Sequence, residues 1–470
     1  MRKIPQYKKL PKAGKASESL TFIYTNGMIF TAEQLKKRRL PISVCRRRRQ
    51  LSHKKESDFY GKKLRKREQE KITVRYDFTS ILDRSGRDCL AADKIPFPGF
   101  RVDEGFDTIP MWIADMSFPI APEILAAMRE RLDYPFFGYY ALPDAYYESI
   151  IAWHRRRHGT QGLRPEHIGY ENGVLGGVST AIQVLSCPGE KLLLHSPTYV
   201  GFTHVLQDIG RTPVHSELKR DSEGIWRMDY ADMERKLREE KIHLAILCSP
   251  HNPCGRGGER WELERAMELF RQYDVTVISD EIWSDIIMPG HTHIPTQNLS
   301  EDARRRTLSF YAPSKTFSLA GLVGSYHIVY DPALRDRLRR RSEMSHYNAG
   351  CVLSMHALIA AYDRCEAWAD EMIRTVDGNI RLACGFIDAH FPGVRVMPAQ
   401  GTYMLFLDCA DWLREHADTR SALLRRGAEV GVIWQNGEDF FYPDSIRLNL
   451  ALPRSQLEEA LRRLQDYVFC

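Results

Sequence analysis

The chain has 470 residues, 43% hydrophobic and 27% charged, with a formal net charge of +6. That length exceeds the usual reach of one hydrophobic core, with about 150 residues per domain as a soft guide, so two packed domains and an appendage are expected. No apolar run is long enough to cross a bilayer and no charged-then-apolar leader opens the chain, so a soluble, cytoplasmic protein with no membrane association is expected.

Ten cysteines are scattered without a Cys-x-x-Cys pair or metal-ligand spacing. No metal site is expected, and Cys187, Cys248 and Cys384, inside apolar stretches, read as reduced, buried small hydrophobes. Charge is distributed unevenly. Met1 to Val74 holds 22 Lys/Arg against 6 Asp/Glu, a net of +16, whereas the rest of the chain is at −10.

Residues 1–72 include the unbroken basic run Arg46 to Arg49 and little apolar periodicity, so they are expected to be a disordered, basic extension. A solvated tail explains this composition. A nucleic-acid or anionic-membrane contact is the sharper reading, and the lack of interleaved aromatic residues argues against base stacking.

From Tyr76 onward, short apolar runs alternate with amphipathic segments in the manner of an α/β domain. Strands are predicted at Lys191–His195, Leu244–Cys248, Thr276–Ser279, Thr307–Tyr311 and Tyr326–Tyr330. Helices such as Arg260–Tyr273 lie between them, which implies a largely parallel sheet. Beyond Pro332 come long helices, including Glu366–Phe391, and then strands at Thr402–Leu407 and Ile446–Leu450 of a smaller second domain.

Three predicted strands are followed by chemistry-bearing residues. Ser-Pro-His-Asn-Pro-Cys-Gly at 249–255 follows the first and can turn Asn252 back over the sheet edge. Ser-Asp-Glu-Ile at 279–282 presents Asp280, and Ala-Pro-Ser-Lys at 312–315 presents Ser314 and Lys315, at the carboxyl edge where ligands collect in open α/β sheets. Taken singly, each has a bland explanation: a turn, a helix cap, a surface lysine. Their joint occurrence is the signal. Gly-Val-Leu-Gly-Gly-Val-Ser at 173–179 opens a helix whose first backbone N–H groups can approach a phosphate, which makes Val174, Leu175 and Gly176 candidates. Tyr199, in Ser-Pro-Thr-Tyr, is an aromatic candidate whose alternative is core packing. Arg447 alternates with apolar neighbours on a strand, where an inward arginine needs a carboxylate partner, either a ligand or an internal ion pair.

An amide, a carboxylate and a lysine in this order and spacing resemble the aspartate-aminotransferase superfamily (class I/II, fold type I) of pyridoxal 5'-phosphate (PLP) enzymes. The resemblance implies a three-layer α/β fold, with a large mainly parallel-sheet domain at 119–340, a smaller C-terminal α/β domain at 341–470 and an N-terminal arm at 73–118 joining the small domain. It also implies that Lys315 holds PLP as a Schiff base, Asp280 pairs with the pyridine nitrogen and Asn252 donates to the phenolic oxygen. Tyr199 would stack on the ring, Val174, Leu175, Gly176 and Ser314 would cup the phosphate, and Arg447 would clamp the substrate carboxylate.

Within the superfamily, Tyr-Asp-Phe at 76–78, Met-Trp-Ile-Ala-Asp-Met at 111–116, Phe-Gly-Tyr at 137–139, Ala-Pro-Ser-Lys-Thr-Phe and Gly-Thr-Tyr at 401–403 resemble the MalY/PatB branch of cystathionine β-lyases, over about residues 75–470. The reaction so implied is β-elimination from L-cystathionine or a related L-cysteine conjugate, giving a thiol, pyruvate and ammonia. An aminotransferase or racemase is the alternative, and a partner-binding regulator retaining the fold is a third reading. Val323 stands where many aminotransferases of the fold carry a phosphate-binding arginine. The chain departs from the branch at Ser117, usually Asp, at Trp283, usually His, and at Ser318, usually Asn. Trp283 retains one N–H donor for the cofactor but cannot shuttle a proton. The resemblance also implies a homodimer in which Tyr139 of one subunit reaches the cofactor and substrate of the other.

Overall fold

A computed structural model of the chain describes residues 76–345 and 350–470, together with the short antiparallel pair Ile23–Thr25 and Met28–Phe30. The expectation of disorder for 1–72 otherwise falls outside the described residues.

The long apolar runs become central strands of a seven-stranded sheet. In chain order its strands are β1 (Ile168–Asn172), β2 (Lys191–Ser196), β3 (Thr212–Glu217), β4 (Leu244–Cys248), β5 (Thr276–Asp280), β6 (Thr307–Tyr311) and β7 (Gly324–Ile328), arranged β1-β7-β6-β5-β4-β2-β3. Every residue of β4 and β6 is buried, as a strand covered on both faces requires. From β3 to β6 all pairings are parallel, and β7 runs antiparallel to both its neighbours. Two of these strands, β1 and β3, were not legible in the sequence. Both lie at sheet edges. β3 tolerates Pro213 there because an edge strand has one unpaired side, and β1 carries Gly169, where a Cβ would lie 2.2 Å from the His327 ring.

Helices cover both faces. Val178, Ala181 and Ile182 of the helix Val174–Leu185 pack with Leu194, Ile246 and Phe310 on one side, and Leu263, Ala266 and Phe270 of the helix Arg260–Gln272 pack with Leu193, Ala245 and Val277 on the other. Burying the Val, Leu, Ile and Phe side chains among them stabilises by about 1.5–3 kcal/mol each. Gly177 lets the first helix approach closely, since a Cβ there would sit 2.5 Å from Phe310. The α/β, three-layer expectation is therefore met.

A second sheet follows in the order β8 (Arg395–Val396), β9 (Met404–Asp408), β11 (Ser445–Asn449), β10 (Gln435–Asn436), antiparallel throughout. Upstream, Ile109–Pro110 pairs in parallel with Val432–Ile433, and the Met111 N–H donates to the Ile433 carbonyl at 2.7 Å. Among the described residues no helix is long and apolar enough to cross a membrane. Cys248 and Cys384 are buried as expected, whereas Cys187, in the turn after its helix, is exposed.

Candidate active site

β4, β5 and β6 are consecutive and parallel, with Asp280 level with Cys248 on one side and Phe310 on the other. Their carboxyl ends therefore share one edge, and the segments leaving them converge. Asn252, Asp280, Ser314 and Lys315 line a single cavity of about 220 Å³, with Tyr199 and Trp283 as further walls and the helix start Val174–Leu175 on one flank.

Asp280 and Arg447 are buried, and Lys315 is half-buried in the cavity wall. Burial pushes the Asp280 carboxyl up to about 7, against the Ile282 N–H that it accepts at 3.0 Å and the nearby Lys315. Burial brings the Lys315 amine down to about 8, opposed by Asp115 and Asp280 and assisted by Arg447. Lys315 Nζ donates to the Ala114 carbonyl at 2.8 Å and lies 5.7 Å from the centre of the Trp283 ring. Burial likewise draws Arg447 down to about 10. Its guanidinium is held by Asn252 Oδ1 at 2.9 Å, the Trp112 carbonyl at 2.7 Å and Gln435 Oε1 at 2.5 Å. Its Nε is buried without a partner among the described residues. An arginine held by neutral acceptors in a dehydrated site retains its full charge for an incoming carboxylate.

These residues fit PLP. A buried carboxylate raised to about 7 is the partner that a protonated ring nitrogen would return to its ionised form. The helix beginning at Val174 has its first residues in the cavity wall, at the end where backbone N–H groups lack intrahelical acceptors, and Gly173 before it adopts φ +80°, which glycine accommodates without strain. Tyr199 packs close enough to Gly201 that a Cβ there would lie 2.5 Å from its ring, so the small residue lets the ring seat against the cavity wall.

Two sequence candidates stand apart. Gly176 lies two residues after Val174, where the helix starts, and outside the cavity lining. Tyr139 is fully exposed, at 106% of its reference surface, in a run with exposed Tyr134, Phe136 and Phe137. Arg447 is adjacent rather than lining, and reaches the site through Asn252.

Sequence reasoning missed the contributions of Trp112, Ala114 and Gln435. The segment 111–116 was conspicuous as a motif, but it acts here through main-chain carbonyls, which no side-chain pattern reveals. Asn449 holds that segment in place, donating to the Ile113 and Asp115 carbonyls at 2.8 and 2.5 Å. The serines at the departures from the branch meet in one cluster: Ser318 Oγ donates to Asp115 Oδ1 at 3.4 Å, and Arg84 bridges Asp115 at 3.8 Å to Ser117 Oγ at 2.9 Å.

The raised Asp280 carboxyl has a consequence for stability. Because its folded value lies above the ordinary 3.8, its contribution is complete below that value and is lost as pH rises through about 7. In cofactor-free protein, Asp280→Asn is expected to raise Tm by a few degrees at pH 8 and to change it little at pH 4, while weakening PLP binding. Calorimetry of the cofactor-free variant at the two pH values checks this.

The sequence matches the family Aminotransferase class I and II over residues 108–464. It is 33% identical over 362 residues to cystathionine β-lyase PatB of Bacillus subtilis, covering 76% of this chain and 92% of that protein. Protein MalY of Escherichia coli is 29% identical over 399 residues, or 83% and 98% of the two chains. The fold superposes on the crystal structure of cystalysin from Treponema denticola, which contains PLP, with a TM-score of 0.78 at 27% identity, covering 84% of this chain and 98% of that one. The chain thus belongs to the aminotransferase class I and II family, in the branch of the PatB- and MalY-type cystathionine β-lyases.

Proposed function

We infer that the protein is a PLP-dependent carbon–sulfur β-lyase, which cleaves L-cystathionine or a related L-cysteine conjugate to a thiol, pyruvate and ammonia. The observation that carries this is the placement of Lys315, half-buried and brought down to about 8, in one cavity with Asp280 and beside the Asn252–Arg447 pair. The lyase name of the PatB relative and the PLP in cystalysin support it.

When bound, PLP supplies an electron sink for the charge left at the substrate Cα. Lys315 would hold the cofactor covalently and then remove the Cα proton with its amine, which burial brings down to about 8, so that half of it is neutral at that pH. Asp280 would hold the proton of the ring nitrogen, Tyr199 would cover the ring, and Ser314 with the N–H groups of Val174, Leu175 and Gly176 would bind the phosphate. Trp283 would present its ring, or its single N–H, to the cofactor. Arg447 would take the α-carboxylate and thereby orient the Cα–H bond toward Lys315. Elimination rather than amino transfer is favoured by Val323, which lines the cavity where an arginine serves many aminotransferases.

Further assignments belong to this reading. A second copy of the chain would cover the exposed run Tyr134–Tyr139 and receive Tyr139 at its own site. The arm 73–118 would join the small domain 341–470, and 119–340 would form the large PLP-binding domain. The described cysteines are free thiols, as suits the cytoplasm.

Attack on the cofactor aldehyde needs the neutral amine. The rate at which cofactor-free protein takes up PLP is therefore expected to rise with pH and level off above about 8. Stopped-flow absorbance across that range checks it, and a rate independent of pH would contradict the assignment of Lys315. Pyruvate release from L-cystathionine tests the lyase reading; transfer of the amino group to a 2-oxo acid without pyruvate release would replace it with the aminotransferase.

A further inference from the structure

The loop that follows Asp280 carries two further buried carboxylates, Glu281 and Asp285, and the partners of Asp285 come from separate parts of the chain. Thr316 Oγ1 donates to Asp285 Oδ2 at 2.9 Å, while Trp153 Nε1 and His158 Nε2 each meet Oδ1 at 2.9 Å. Thr316 is the residue after Lys315 and is fully buried, and Trp153 and His158 lie on the helix Asp144–His158. Burial pushes the Asp285 carboxyl up, but the hydrogen bond and charge of His158, the charge of Arg157 and the Thr316 hydroxyl outweigh it and bring the group down to about 2. It is therefore a permanent acceptor at neutral pH.

Neither Asp285 nor Thr316 lines the cavity. The loop between Asp280 and Asp285 is itself tightly turned: the Ile282 N–H donates to Asp280 Oδ1, Ser284 N–H to the Glu281 carbonyl at 3.0 Å, and Ile286 N–H to the Trp283 carbonyl at 2.9 Å. One carboxylate thus joins the loop leaving β5 to the loop leaving β6. A lysine side chain has four rotatable bonds, so the backbone does not fix its amine outright but sets the point and direction from which the side chain departs, and with them the region the amine can reach.

We propose that Asp285 is a positioning residue, which through Thr316 fixes the direction in which Lys315 leaves β6 and hence the placement of its amine relative to Asp280. The proposal rests on the PLP reading above. It is tested on the full-length holoenzyme with Thr316→Val, Thr316→Ser and Asp285→Asn. Three quantities are read: the pH midpoint of the visible band of bound PLP, kcat and KM for L-cystathionine, and Tm. Thr316→Val and Asp285→Asn are expected to move the midpoint by about half a unit or more and to lower kcat by about tenfold at little-changed KM. Thr316→Ser, which keeps the hydroxyl, is expected to restore both. Should Asp285→Asn fail to fold, the threonine pair decides. A Thr316→Val enzyme with lowered Tm but wild-type midpoint and kcat overturns the proposal, as does a Thr316→Ser enzyme no better than the valine variant. Wild-type protein that shows no band with PLP overturns the cofactor reading and this proposal with it.

Discussion

Lys315→Ala is expected to abolish the visible absorbance band of covalently held PLP and to lower pyruvate release from L-cystathionine by at least ~10⁴-fold. The magnitude follows from two losses at one atom: a positioned proton-transfer group, worth about 10²–10⁴-fold, and the covalent anchor that orients the cofactor. The fold should survive. Lys315 Nζ donates to the Ala114 carbonyl, and the amine's depressed value shows that burial disfavours its charged form. Removing such a group relieves a desolvation cost, so the Tm of the cofactor-free variant is expected to equal or exceed that of the wild type. A variant that unfolds would mean that Lys315 serves structure, and one that retains the band would mean that another amine holds the cofactor.

The second large effect is expected at Arg447. Truncation to alanine removes the donor to Asn252 Oδ1, Gln435 Oε1 and the Trp112 carbonyl, all in a dehydrated site. Losing one partner of a buried charged interaction costs about 2–4 kcal/mol, or roughly 30- to 10³-fold in kcat/KM. The loss should fall mainly in KM, because the α-carboxylate is bound both before and during the reaction. Arg447→Lys should recover little, since a point charge cannot satisfy acceptors arranged around a planar fork. A cysteine-conjugate amide lacking the carboxylate distinguishes carboxylate binding from general damage: wild type and Arg447→Ala should turn it over at similar rates. A variant that loses the amide as severely as the acid would show that Arg447 holds the segment 111–116 rather than the substrate.

The contrast between these two residues shows what the sequence could convey. Lys315, Asp280 and Asn252 were legible because each follows an apolar strand, and parallel neighbours end at one edge. Arg447 was legible as an inward charge needing an acceptor, but its actual partners were not. They are a side-chain amide, a second amide on β10 and a main-chain carbonyl more than three hundred residues away in the chain. Hydrogen bonds to carbonyls leave no trace in residue type. The same holds for Ala114, whose carbonyl meets the lysine, and for Asp285, whose three partners give no local pattern. Strand prediction failed at the two sheet edges: β1 carries Gly169, Glu171 and Asn172, and β3 carries Pro213, His215 and Ser216, so neither shows an apolar run like that of β4. Tyr139 shows a further limit. Its position in Phe-Gly-Tyr was clear, but it is exposed and lines no part of the cavity.

The decisive measurement is an absorbance spectrum of the purified protein with PLP, followed by addition of L-cystathionine and detection of pyruvate in a coupled assay. A visible band that depends on Lys315, with pyruvate formed at each turnover, is the expected result. A band without pyruvate, accompanied by amino transfer to a 2-oxo acid, would contradict the lyase assignment, and no band with saturating PLP would contradict the cofactor itself.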